Sequence, residues 1–186
     1  MGNMGNLIIK NNTRIFRPGE IEKIIEAIPK QEYKVKFEAL LFSGARYTEM
    51  QWLYKHPKFF DGNTIKMPKR KPKQIYDERY IRLNSHGKRA VSYFLRSKKN
   101  LPSDYATWIE NLHRWCDIAG VEKDGVSTKS TRKTWESWLV TMYPKQLEYI
   151  FLSQGHNTLT ALKFYLMIPF TQEDINNIKY YTDGWI

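Results

Sequence analysis

Apolar positions recur every three to four residues along most of the chain, and that spacing predicts helices. Ile21, Ile24, Ile25 and Ile28 follow Arg17-Pro18-Gly19-Glu20, so a proline and an acid open a helix over 18–28. Val35, Phe37, Ala39, Leu40, Leu41 and Phe42 form a second apolar stretch, read as helix, that stops at Ser43-Gly44. A short helix over 46–53 restarts there, with Arg46 in its first turn and Glu49 three residues on. Between 59 and 83 the pattern changes. Asp61-Gly62 signals a turn, 64–67 reads as a strand and 80–83 as its return partner. Pro68-Lys69-Arg70-Lys71-Pro72-Lys73 lies between them, and its prolines forbid a regular helix, so a basic hairpin tip is expected. After Asn84-Ser85 helices are expected over 85–97, 103–119, 129–142, 144–153, 158–167 and 171–181. Ser103-Asp104, and Thr171 with Glu173-Asp174, are N-terminal signals. The predicted fold is mainly α with a small antiparallel β-sheet.

The 186 residues suit one compact domain with an appended arm, and the repeated Met1-Gly2-Asn3 and Met4-Gly5-Asn6 read as that arm's loose end. An apolar fraction of 41% excludes a disordered chain. Thirty Lys and Arg face nineteen Asp and Glu, for a net charge of +11, which points to an anionic partner, nucleic acid first. No apolar run approaches the roughly 20 residues that cross a bilayer, so an intracellular location without a membrane is expected. The single Cys116 lies in an apolar stretch and reads as a buried structural thiol.

The candidate chemistry is cationic. Lys66, Lys69, Arg70, Lys71 and Lys73 crowd eight residues without an acid, suited either to solvent or to phosphate. Lys129 and Arg132 share a helix face and can reach one anion together, although Trp135, Trp138 and Leu139 make the same helix plainly amphipathic. His156 follows a glycine where a helix start favours an anion. Tyr165 sits in an apolar run and by itself reads as core. Nine residues on one straight helix turn about 900°, so His156 and Tyr165 converge only if His156 stands outside the helix, which the Gly155-His156-Asn157 turn permits. Other sites fit less well. Gly87-Lys88 lacks the earlier glycine of a P-loop, no metal-ligand spacing occurs, and Glu20 with Glu32-Tyr33-Lys34 falls on helix where a metal-dependent nuclease needs strands.

The order of these residues resembles the catalytic domain of tyrosine recombinases, the integrase family. Ser43-Gly44-Ala45-Arg46-Tyr47-Thr48-Glu49 looks like its first arginine box, residues 128–134 like its second, and Leu152-Ser153-Gln154-Gly155-His156 with Tyr165 like its Leu-Gly-His and nucleophile segments. Lys129 stands where most of the family has His, which is similar to integrases of archaeal viruses and plasmids. The resemblance implies an N-terminal arm over 1–16, a catalytic domain over 17–168 and a C-terminal extension over 169–186, without the family's core-binding domain.

It also implies a reaction. Tyr165 would attack a DNA phosphodiester, forming a 3′-phosphotyrosyl bond and releasing a 5′-hydroxyl that can attack back, with no metal or cofactor. Arg46 and Arg132 would clamp the non-bridging oxygens and His156 would hydrogen-bond the phosphate. Lys69, or else Lys71, would protonate the leaving oxygen, Lys129 would contribute mainly charge, and Glu49 would support the Arg46 helix. Lys66, Arg70 and Lys73 would contact double-stranded DNA. In this family the last helix often packs on a neighbouring subunit, and Ile175, Ile178, Tyr181 and Trp185 offer a face for that or for packing on their own domain. A type IB topoisomerase-like activity and a catalytically silent DNA-binding module remain alternatives.

Overall fold

The computed structural model describes residues 7–69, 78–156, 165 and 167–186. Strands β1 (Ile9–Lys10) and β2 (Thr13–Arg14) pair antiparallel in a hairpin with Ile9 opposite Arg14. Asn11 and Asn12 both take positive φ, as a tight hairpin turn requires. The flanking Ile8, Ile15 and Phe16 are buried, so the described part of the N-terminal arm is seated on the core.

Helix α1 (Pro18–Ala27) starts where expected, with the Arg17 N–H donating 2.8 Å to Glu20. Helix α2 (Gln31–Ser43) buries residues on nearly every side, as a central helix must, and Phe37, Ala39 and Leu41 have no exposed surface. It packs between α4 (Ser85–Arg96) and α6 (Ser130–Met142), while α1 lies against α5 (Tyr105–Ala119) and α8 (Gln172–Thr182). Helix α3 (Tyr47–Lys55) follows α2 directly, and α7 (Leu147–Gln154) follows α6. Tryptophans dominate the core: Trp108, Trp115, Trp135, Trp138 and Trp185 are fully buried. Cys116 is buried too, and burial pushes its thiol up to about 12.

The second antiparallel hairpin joins β3 (Thr64–Pro68) to β4 (Glu78–Arg82), with Ile65 opposite Ile81. The return strand starts two residues before the expected 80, because Arg79 and Glu78 continue the ladder opposite Met67 and Pro68. The expected basic tip at Arg70, Lys71 and Lys73, and most of the helix expected over 158–167, lie outside the described residues. Five helix starts come one to three residues later than the periodicity suggests, because a preceding residue serves as cap or turn; Arg46 and Thr171 cap α3 and α8. Asp104 accepts from the Thr107 N–H before α5, Lys129 precedes α6, and a turn after Tyr143 delays α7.

The C-terminal segment packs on its own chain. Tyr181 stacks on Trp138 at 5.5 Å, Ile178 and Trp185 are buried, and the Asn84 side chain donates to the carbonyls of Tyr181 and Asp183. Among the described helices none is long and apolar enough to cross a membrane.

Gly44 ends α2 at φ +63, and a Cβ there would collide with the Gln154 amide and stand 2.8 Å from the Trp135 ring. Gly44→Ala is expected to destabilise the protein by at least ~1–3 kcal/mol, the cost of a strained left-handed residue, before any repacking. Urea denaturation checks this, and an unchanged midpoint would contradict the close approach of Gly44 to Gln154 and Trp135.

Candidate active site

The chain reverses at Gly44 and puts Arg46 at the N-terminus of α3. The Arg46 N–H donates 2.8 Å to Glu49 Oε2 and its guanidinium donates 2.8 Å to Oε1, so one carboxylate caps the helix and fixes the arginine at the mouth of a cleft. The Arg46 side chain stays 45% exposed while that of Glu49 is 6% exposed. Glu49 also receives both Nη atoms of Arg79 at 2.9 Å, a two-pronged pair carried across from β4. Burial pushes the Glu49 carboxyl up, but Arg79, then Arg132 and Arg46, outweigh it and hold it below its ordinary value. Arg79 is pulled down to about 10 by burial first and by its cationic neighbours, with Glu49 opposing.

Helix α6 carries the second arginine. Arg132 Nη1 donates 2.9 Å to the Gly44 carbonyl, Nη2 donates to the Gln154 carbonyl, and Nε lies 2.9 Å from Glu136 Oε1. One guanidinium therefore ties together the end of α2, the end of α7 and its own helix.

Helix α7 stops in a Schellman turn: the His156 N–H donates to the Phe151 carbonyl and the Gly155 N–H to that of Leu152. Gly155 has φ +66, and a Cβ there would stand 2.6 Å from the Arg79 side chain. The turn sets His156 outside the helix, where Nε2 lies 2.9 Å from Glu136 Oε1. A carboxylate only accepts, so that contact places a proton on Nε2.

Glu136 is thus held by Arg132 and His156 through one oxygen. Its other oxygen accepts from the Tyr165 hydroxyl at 3.3 Å, and Lys133 Nζ donates 2.9 Å to the same hydroxyl. Tyr165 is 3% exposed. Burial, and then the Glu136 charge, raise its phenol above the ordinary value. Glu136 itself lies below its ordinary value, because Arg132, His156 and Lys133 outweigh complete burial. Burial lowers Lys133, with Glu136 opposing.

A cleft of about 310 Å³ opens beside this cluster, lined by Arg46, Tyr47, Lys129, Arg132, Lys133 and His156 among others. Four of the residues singled out in the sequence, Arg46, Lys129, Arg132 and His156, meet in that lining. Tyr165 joins them through Glu136 and Lys133. The hairpin cations stand differently. Lys66 pairs with Glu78 at 2.7 Å, a partner on the opposite strand that the local sequence window does not contain. Lys69 is exposed, and Arg70, Lys71 and Lys73 lie outside the described residues.

Sequence reasoning missed Arg79, Lys133 and Glu136. A signal existed for two of them. Arg79 shares the inward register of β4 with Ile81 and Leu83, so a charged side chain falls on the core face. Arg132 and Glu136 are four apart on the buried side of α6, where a lone charge would be costly and a pair is expected. Lys133 has no such signal, since its partner Tyr165 comes from a distant segment.

No protein-family model and no curated protein matches the sequence. Solved structures do match. XerA recombinase superposes with a TM-score of 0.68 at 14% identity, covering 96% of this chain and 66% of that one. The Tn1549 transposon integrase in complex with transposon right end DNA gives 0.66 at 13% identity, covering 92% of this chain and 66% of that one. The XerH site-specific recombinase bound to palindromic difH substrate, a post-cleavage complex, gives 0.61 at 18% identity, covering 95% and 54%. The chain shares the fold of tyrosine recombinase catalytic domains and spans two thirds or less of these neighbours' length.

Proposed function

We propose that this chain is the catalytic domain of a site-specific DNA recombinase that cuts and rejoins strands through Tyr165. The observation that carries the reading is that a single carboxylate, Glu136, touches Arg132, His156 and the Tyr165 hydroxyl together. The nucleophile and the groups that bind the phosphate in this reading are therefore one side chain apart.

In this reading residues 17–168 are the catalytic unit and 169–186 its C-terminal extension. The scissile phosphate enters the cleft, where Arg46 and Arg132 bind its non-bridging oxygens and His156 donates a hydrogen bond. Preorganised cations stabilise the added charge of the pentacoordinate transition state more than that of the ground state, and this difference is what accelerates the step. Tyr165 turns its hydroxyl toward the cleft and attacks, leaving a 3′-phosphotyrosyl bond that stores the energy of the broken linkage. A hairpin lysine, Lys69 or Lys71, protonates the departing 5′ oxygen. Lys129, at the cleft edge, adds charge. The net +11 draws the protein to duplex DNA, and Arg70 and Lys73 follow the backbone. Lys66, paired with Glu78, contributes less. The lysine in place of histidine at 129 favours the archaeal virus or plasmid branch of the family. Several copies would assemble on DNA to exchange strands.

The test is strand joining. Duplexes selected from a random-sequence pool by binding to the protein are mixed with a second labelled duplex in the presence of a chelator. The expected product is a joined strand that requires the selected sequence. Binding without joining would indicate a DNA-binding module, and relaxation of supercoiled plasmid regardless of sequence would indicate a topoisomerase-like enzyme.

A further inference from the structure

Lys133 and Glu136 have no part in that scheme, yet both touch the reacting oxygen. They lie three positions apart on α6, so they share a face. Lys133 Nζ donates to Tyr165 Oη at 2.9 Å, and Oη donates to Glu136 Oε2 at 3.3 Å. The opposite oxygen, Oε1, is fixed by Arg132 Nε and His156 Nε2, each at 2.9 Å. A weak hydroxyl nucleophile is activated by just such an arrangement, a base in hydrogen-bond reach that a third group orients.

We propose that Glu136 and Lys133 are catalytic residues that handle the proton of Tyr165, Glu136 receiving it as the phenol attacks and Lys133 stabilising the phenolic oxygen as charge develops on it. The inference rests on the recombinase reading and extends it to the nucleophile's side of the reaction. As the Oη–phosphorus bond forms, the Oη–H bond breaks and its proton passes to Glu136 Oε2. The bond from phosphorus to the 5′ oxygen breaks, and that oxygen takes a proton from the general acid. Rejoining reverses both transfers, with Glu136 returning the proton to Tyr165.

The surroundings tie this transfer to DNA binding. Arg132, Lys133, His156 and, farther off, Arg79 set the charge around Glu136, and Tyr165 faces it. At rest Arg132, the His156 hydrogen bond and Lys133 hold the carboxylate low and the phenol is raised, so the proton stays on Tyr165. A phosphate that engages Arg132 and His156 shares those two donors with Glu136 and brings a second negative charge beside it. Both effects make the carboxylate a stronger base when substrate is present.

The test measures covalent adduct formation against pH for wild type, Glu136→Gln, Lys133→Met and Lys133→Arg on a nicked duplex of selected sequence. The same duplex is also made with sulfur replacing the bridging 5′ oxygen, because a thiolate leaves without being protonated. Glu136→Gln and Lys133→Met are expected to slow adduct formation by about 10²-fold or more on both substrates, the size of a general-base contribution. Glu136→Gln should also remove the acid limb of the profile, and Lys133→Arg should restore part of the rate. Wild-type rates in the folded variants would overturn the assignment, as would a defect that vanishes on the sulfur substrate, since that would place these residues with the leaving group. Should Glu136→Gln fail to fold, variants of the half-buried Lys133 decide the matter. A wild type that forms no adduct contradicts the recombinase reading itself.

Discussion

Replacing Arg132 with methionine is expected to lower the rate of covalent DNA cleavage by about 10²–10³-fold or more, the effect of losing a preorganised donor at a developing negative charge. Arg132 can serve two purposes because its guanidinium has five N–H donors. Three are spent on the Gly44 carbonyl, the Gln154 carbonyl and Glu136. The other two, one on each Nη, would serve the phosphate in the proposed reaction. Methionine fills similar space but abandons two buried carbonyls and leaves Glu136 with only the His156 hydrogen bond and the Lys133 charge to offset its burial. Stability therefore falls as well, and the cleavage rate is compared at a temperature where urea titration shows both proteins folded. Arg132→Lys keeps the charge without the fork and is expected to remain well below wild type. A lysine variant with full activity would mean that charge alone, and not the three-point anchoring, is what this position supplies.

Glu49→Gln is expected to cost about 3–5 kcal/mol of folding stability, the usual consequence of removing one partner of a buried ion pair. The loss is large because Arg79 has nowhere else to go: it is 8% exposed, and among the described residues its other hydrogen bond is to the Ser153 carbonyl. The pH dependence provides a second check. Glu49 and Glu136 both have folded-state carboxyls held below their ordinary values. Each thus contributes stability that is present above the unfolded value, about 4.3, and is lost as pH falls through the folded value. Wild type should weaken steeply below about pH 4, and Glu49→Gln should weaken less over the same descent because one of the two carboxylates is gone. Equal slopes for the two proteins would remove Glu49 from the account.

These two residues also illustrate what the sequence makes legible. Arg46 and Glu49 stand three apart at a helix start, a local relation, and the support for the Arg46 helix expected of Glu49 takes the form of a cap. The helices expected over 18–28 and 85–97 are present as α1 and α4, each ending one residue earlier, and follow from periodicity because each buries one continuous face. Tertiary partners are harder. Glu49 meets Arg79 thirty residues away, and Lys133 meets Tyr165 across thirty-two, so no window of sequence contains either pair. His156 and Tyr165, whose nine-residue spacing is wrong for one straight helix, both reach Glu136, and the left-handed Gly155 sets His156 beyond the end of α7. For Lys66, reading only its own strand hides Glu78 on the other.

The most direct test of the central claim is to trap protein on nicked duplexes of selected sequence without metal or nucleotide, and to map any covalent adduct by mass spectrometry in wild type and Tyr165→Phe. The account predicts a nucleotide-bearing Tyr165 peptide in wild type and no adduct in the phenylalanine variant. An adduct on another residue, or none despite tight and specific binding, would contradict it.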